Sequence, residues 1–326
     1  MQENWQFLLK EVITSPIELL AELGLKENLL PDAQRSANLF HLRVPRGFVA
    51  RMQKGNPNDP LLRQILPIGE EGIITPGFTQ DPLDEKSANP IPGLLHKYHG
   101  RVLLTLSGAC AINCRYCFRR HFPYQKNNPG GRTWEIILNY IIADKSITEV
   151  IFSGGDPLIA NDSYLANCIT DLATISHLKT LRFHSRLPIV LPQRITHALM
   201  TVLTSTRLQP IMVVHCNHAN ELDVSVATAI DVLRQKKIMV LNQSVLLKGV
   251  NDSIETLINL SQRLFEFGIL PYYLHLLDKV QGAAHFAVSE DKAKILVNAM
   301  RKKLAGYLVP RLVKEKAGEK SKLAVF

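Results

Sequence analysis

Only five cysteines occur in 326 residues. That is too few for a disulfide scaffold in a chain this long, so stability must come from an apolar core. Long hydrophobic runs are missing too. No stretch approaches the roughly 20 apolar residues that span a bilayer. The opening residues, MQENWQFLLKE, carry acids and lack the apolar region of a secretory signal. The chain therefore reads as cytoplasmic, without a membrane partner. Aromatic residues are 7%, and no aromatic-and-basic stretch of the RNA-binding kind is present, so nucleic acid is not expected either. Low-complexity segments and internal repeats are absent.

Acids are in the minority, 29 against 38 lysines and arginines, for a net charge of +9. The excess is dispersed. Its densest cluster is Arg115, Arg119, Arg120 and His121, which a pocket for phosphate and carboxylate groups explains as well as RNA does. By composition, the Lys/Glu mixture over 314–322 is a solvated end. Hydrophobic residues at 46% and charged residues at 21% are ordinary for a globular protein.

Residues 1–95 are rich in proline, asparagine and short helical stretches, and predict a mainly helical appendage. From Arg101 a strand–helix rhythm starts. Apolar runs at 102–106, 149–152, 180–184, 211–215, 238–242 and 272–276 predict strands. Helices are expected over 133–143, 162–174, 194–203, 221–234, 253–267 and 289–304. Continuous apolar strands alternating with helices imply a buried parallel sheet. Six such units over 96–310 fall short of a closed eight-fold barrel, so the expected fold is α/β, an open partial (βα)6 barrel. Its active site belongs at the C-terminal ends of the strands. Residues 311–326 read as a tail.

Residues 108–121 are GACAINCRYCFRRH. Cys110, Cys114 and Cys117 form CxxxCxxC directly after the first predicted strand. Three thiolates can ligate three irons of a cubane and leave the fourth open, as a catalytic cluster requires. Zinc with His121 as fourth ligand is the rival reading. In a reducing compartment, either points to metal rather than disulfide chemistry. After the second predicted strand comes Ser153, Gly154, Gly155, Asp156 and Pro157, whose glycines let backbone approach a ligand. Cys168 and Cys216 read as inert buried thiols.

The cysteine motif resembles that of the radical S-adenosylmethionine (SAM) superfamily. This implies a [4Fe–4S] cluster whose open iron is chelated by SAM, with Tyr116 near the adenine and residues 153–156 at the methionyl amino group. Longer stretches narrow the resemblance: CRYCFRRHFPY, IFSGGDPL, HSRLPIVLPQRIT, NHANE, LNQSVLLKGVND, PYYLHLLDKVQGAAHF and, near the N-terminus, RVPRGFVARMQKGNPNDPLLRQ. Together they are similar to the lysine 2,3-aminomutase family, closest to its short branch, which acts in the β-lysylation of elongation factor P.

That resemblance implies pyridoxal 5′-phosphate (PLP) as a further cofactor, because a radical 1,2-shift of an amino group needs a π-system on nitrogen. The GEKSK sequence at 318–322 places Lys322 as the PLP lysine, with Lys320 as the fallback. Arg119 matches the ligand of the substrate carboxylate. Asp278 and Glu315 match two acids that bind the substrate ammonium; Glu315 stands where the family usually has aspartate. His218, Asn242 and Gln243 match SAM and PLP neighbourhoods, whereas His215 and His275 read equally well as satisfied polar residues at strand ends. The implied reaction converts L-lysine to β-lysine through a 5′-deoxyadenosyl radical. The implied partners are L-lysine, an electron donor such as flavodoxin or ferredoxin, and a functional link to elongation factor P and its lysine ligase. A glutamate or arginine aminomutase, a tRNA- or protein-modifying SAM enzyme without PLP, and a non-catalytic iron–sulfur sensor remain as rivals.

Overall fold

Val102, Leu104, Val150, Phe152, Leu181 and Phe183 are all buried, as expected of strands covered on both faces. In the computed structural model, which describes residues 4–127 and 129–326, the strands form one sheet in chain order. They are β1 (Leu94–Tyr98), β2 (Arg101–Ser107), β3 (Glu149–Gly154), β4 (Thr180–Ser185), β5 (Gln209–Val214), β6 (Met239–Val245), β7 (Leu270–His275), β8 (Arg311–Lys314) and β9 (Leu323–Ala324). Neighbours from β2 to β8 run parallel. β1 and β9 flank them antiparallel.

The crossover helices are Arg132–Ala143, Asp162–Ala173, His197–Leu203, Val224–Gln235, Ile254–Glu266 and Glu290–Lys303. Asn161, Thr196, Asp223, Ser253 and Ser289 start five of them by accepting a backbone N–H in the first turn. Such a cap satisfies an otherwise orphaned donor.

The six predicted strands are present, with bounds shifted by a few residues. The parallel set has one more member than expected. Residues 311–314, read from sequence as the start of a tail, form β8 on the open edge of β7. RLVK is too short to show a periodicity. It becomes a strand because β7 offers unpaired backbone groups and because Leu312 and Val313 gain burial there.

Among the described residues, β1 and β9 share no ladder, so the barrel stays partial. Side chains nevertheless cross the opening: the Tyr98 hydroxyl on β1 donates to Glu315 Oε2, just after β8, at 3.2 Å. The N-terminal segment straps the same region, with Thr79 N–H donating to the Lys279 carbonyl and Gln281 N–H to the Thr79 carbonyl, both at 2.9 Å. The regular elements of that segment are short helices set in irregular chain, and its Leu19, Phe48, Leu61 and Ile65 join the core that packs against the sheet. Among the described residues, no helix is long and apolar enough to cross a membrane.

Candidate active site

Side chains alternate between the two faces of a strand. Outward positions pack under the helices, and inward ones surround a cavity of ≈ 360 Å³. It extends from the middle of the strands to the loops at their C-terminal ends. Cys110, Cys114 and Cys117, on the loop after β2, are half-buried free thiols in its wall. Burial, reinforced by the neighbouring thiols, pushes Cys110 and Cys117 up, Cys117 to about 11. Three mutually repelling sulfurs suit a cationic iron cluster, which stabilises thiolates. The zinc alternative fares worse. His121 Nε2 lies 3.3 Å from the Gln281 carbonyl. Among the described residues, no three His, Cys, Asp or Glu side chains converge as they must on a single ion.

Arg115 and Arg120 do not line the cavity, unlike Arg119 of the same basic cluster. Arg115 Nε and Nη2 donate to the Glu71 carboxylate at 2.7 and 2.5 Å, and Arg120 Nη2 to the same carboxylate at 2.7 Å. Both guanidiniums lie on the Phe40 ring. Guanidiniums this deeply buried need a counter-charge, and the nearest is Glu71 of the N-terminal segment. They therefore brace the cysteine loop from behind.

The turn after β3 meets the same loop. Gly154 has φ +128°, and a Cβ there would sit 2.3 Å from the Ser107 carbonyl oxygen; one on Gly155 would sit 2.3 Å from that of Ala109. Gly155 N–H and Asp156 N–H donate to these carbonyls at 2.7 and 2.8 Å. Both glycines line the cavity, but their smallness is demanded by the cysteine loop. The Asp156 carboxylate accepts from Leu158 N–H, the Ser185 hydroxyl, Arg186 N–H and Leu187 N–H at 2.8–3.2 Å. Its oxygens are thus occupied in joining the ends of β3 and β4. Gly154→Ala is expected to lower stability by at least about 2 kcal/mol, measured by denaturant unfolding of the protein without cofactors.

Arg119 is buried and faces the cavity. Its Nε and Nη2 donate to Glu85 at 2.7 and 2.8 Å, and Nη1 to Ser153 Oγ at 3.1 Å. Nη1 also donates to the Gly154 carbonyl at 3.5 Å, so one N–H on Nη2 is left over, with the weak Nη1 bond to Gly154 the one a carboxylate can displace. Glu85 also accepts from Lys97 Nζ at 3.0 Å. Burial raises the Glu85 carboxyl, but the two cations prevail and hold it at about 2. Glu85 was not legible in the sequence: it comes from an irregular loop with no motif around it. Tyr116 is buried, with its hydroxyl 2.9 Å from His215 Nε2 and its ring stacked on that imidazole.

Lys322, Asp278 and Glu315 all reach the cavity. Lys322 Nζ contacts Glu315 Oε1 and lies 5.8 Å above the Tyr273 ring. Burial pulls Lys322 down to about 7, against the attraction of Asp278, while Lys97, Arg182 and Arg101 lower it further. An amine near neutrality at physiological pH is competent as a Schiff-base nucleophile. Burial raises Asp278 to about 6, opposed by Lys322 and Lys97. Nε2 of both His184 and His275 is buried without a partner among the described residues, and both residues line the cavity. Orphaned polar atoms in a cavity wall call for a polar ligand. A lysine-linked, polar cofactor fits this lining.

Two expected residues are not brought to the cavity. Gln243 faces it, so its neighbour Asn242 must face away. Asn242 bonds Cys216 N–H, the Cys216 carbonyl and Ser244 Oγ at 2.8–3.0 Å. His218 Nδ1 accepts from Asn220 N–H at 3.1 Å and caps a short turn. Cys168 and Cys216 are buried away from the cavity, as expected of inert thiols. Arg186 went unremarked in the sequence. Its Nη1 donates to Cys114 Sγ at 2.7 Å, and its Nη2 to Gln64 Oε1 and Glu221 Oε2 at 2.7 and 3.0 Å.

A family model described as a 4Fe-4S single cluster domain matches residues 99–182, the span holding both the cysteine loop and the turn after β3. An L-lysine 2,3-aminomutase of Escherichia coli is 53% identical over 98% of this chain and 94% of its own. One of Haemophilus influenzae is 50% identical over 98% of this chain and 95% of its own. One of Clostridium subterminale is 31% identical over 99% of this chain and 77% of its own. Similarity that runs the whole length of the chain, over a cysteine-lined cavity at the strand ends of a partial barrel, places this protein in the lysine 2,3-aminomutase family of radical SAM enzymes.

Proposed function

We propose that the protein converts L-lysine to β-lysine in the cytoplasm, using a [4Fe–4S] cluster, SAM and PLP, and that the product serves the modification of elongation factor P. One arrangement carries this reading: the three cysteines, the Gly154–Gly155 turn, Arg119, Lys322 and two acids all open into one cavity. When bound, the cluster and SAM supply a primary carbon radical, and PLP supplies the π-system on the migrating nitrogen. The protein's share is positioning and exclusion of water. Cys110, Cys114 and Cys117 hold the cluster, and Tyr116 with residues 153–155 shape the SAM site. Lys322 offers its amine to PLP, with Gln243 nearby. Arg119, oriented by Glu85 and Ser153, takes the substrate carboxylate, and Asp278 and Glu315 take the side-chain ammonium. A flavodoxin or ferredoxin delivers the electron.

Neither PLP nor Arg119 reads the lysine side chain, so selectivity falls to the acids. A hydrogen bond to a charged group contributes about 1.5–3 kcal/mol, and about 1.4 kcal/mol corresponds to a tenfold rate change. Asp278→Asn should therefore cut β-lysine formation about ten- to a hundredfold without loss of cluster or PLP. Because Asp278 titrates near 6 and binds as the anion, wild-type kcat/KM should fall as pH drops through that value. The test is the formation of β-lysine by the anaerobically reconstituted protein, with glutamate and arginine as competitors. Preferential turnover of either competitor would overturn the reading.

A further inference from the structure

Lys322 and a lysine substrate end in the same group, a primary amine on a four-carbon stem. In the cofactor-free protein, Lys322 Nζ contacts Glu315 Oε1. Glu315 Oε2 is meanwhile held at 3.2 Å by the Tyr98 hydroxyl from the opposite sheet edge. Asp278, on the loop after β7, lines the same cavity. Glu315 thus already holds one lysyl amine, supplied by the protein itself, in the cavity that Asp278 shares. Both side chains of the Lys322–Glu315 pair are largely buried, at 20% and 16% exposure. A second ammonium entering there would meet the first at close range, and like charges in a partly buried site repel strongly.

We infer that, until Lys322 is bonded to PLP, its own amine occupies the Glu315–Asp278 ammonium site, so that cofactor attachment is what opens this site to an alkylammonium ligand. The inference rests on the assignment of Lys322 as the PLP lysine and of the acids as the ammonium site. It gives the enzyme an order of assembly. The cofactor-free protein does not sequester lysine, and Glu315 and Tyr98 keep the amine inside the cavity, where an arriving aldehyde meets it. Attachment would condense the Lys322 amine with the aldehyde carbonyl with loss of one water, so that Nζ would no longer be an ammonium paired with Glu315. The carboxylates then need a new cation, which the substrate brings.

The test uses n-butylammonium, which copies the lysine side chain but lacks the groups that PLP and Arg119 recognise. Its binding is measured by calorimetry at pH 6.5, where Lys322, held at about 7, is mostly charged and Asp278, at about 6, mostly ionised, to four cluster-loaded proteins: PLP-free wild type, PLP-free Lys322→Ala, PLP-free Lys322→Met, and wild type with PLP bound and not reduced. Borohydride treatment after the titration, followed by peptide mass spectrometry, identifies the lysine that still carries PLP. Both Lys322 variants and the PLP-bound protein should bind at least about tenfold more tightly than PLP-free wild type, as expected when an internal ion pair no longer competes. Adding Glu315→Gln to Lys322→Ala should abolish the gain. Lys322→Met keeps the stem without the charge, so it answers the question if the alanine variant folds poorly. Equal binding by all four proteins would overturn the inference, as would a gain that survives Glu315→Gln. β-Lysine formation by the fully loaded wild type, measured alongside, decides the underlying assignment independently: turnover with no binding difference sinks the inference alone.

Discussion

Replacing any one of Cys110, Cys114 or Cys117 by alanine is expected to abolish visible iron–sulfur absorbance, SAM cleavage and β-lysine formation together. The effect is all-or-none because the motif has no spare ligand. The remaining cysteines, Cys168 and Cys216, are 2% and 0% exposed and point away from the cavity. Under this assignment each thiolate would serve a separate iron, so a vacancy would expose that iron to solvent and to loss. Cys168→Ala and Cys216→Ala should keep the full cluster spectrum, since both thiols are small apolar groups in the core. The variants are compared by absorbance and iron content after anaerobic reconstitution, with folding checked by circular dichroism. A folded Cys216→Ala protein without cluster would contradict the assignment, as would cluster retained in Cys114→Ala.

Lys322→Ala should remove the borohydride-reducible PLP adduct and reduce β-lysine formation to background, while leaving the iron–sulfur spectrum intact. The cluster ligands lie after β2 and Lys322 just before β9, so each site is carried by its own segment. The pH dependence follows from the depressed Lys322 value of about 7. Only the neutral amine attacks the aldehyde. PLP uptake should therefore rise as pH increases through about 7 and then level off, whereas an exposed lysine would keep gaining toward its ordinary 10.5. The sign for stability is the same. Between about 7 and 10.5 the unfolded chain holds a proton that the folded protein lacks, so the PLP-free protein gains stability as pH rises across that window. Lys322→Met should lose this rise. PLP still fixed in Lys322→Ala would shift the anchor to Lys320, which is exposed.

The barrel and the cluster were legible in the sequence because both are written locally. Strand and helix periods show within a dozen residues, and CxxxCxxC lies on one loop, so spacing alone carries its chemistry. The same holds for the turn after β3, although the reason for its glycines is non-local: backbone at Ser107 and Ala109 passes where a Cβ would be. Parity decided between Asn242 and Gln243. A strand sequence says that neighbours face opposite ways, but only the assembled sheet selects which of the two faces in.

By itself, then, the sequence determined the fold class, three cysteines as candidate cluster ligands and, through resemblance, Lys322, Arg119, Asp278 and Glu315 as candidates. Tertiary structure decided what those candidates touch. Glu85 reaches Arg119 across 34 residues, Glu71 reaches Arg115 across 44, and Tyr98 reaches Glu315 across 217. No periodicity connects such pairs: the first two form where the N-terminal segment packs on the cysteine loop, and the third where the curl of the sheet brings its edges together without pairing. Burial of charge then fixed their partners: a guanidinium or carboxylate removed from water must find its opposite within hydrogen-bonding distance, and the partner it finds depends on the packed fold.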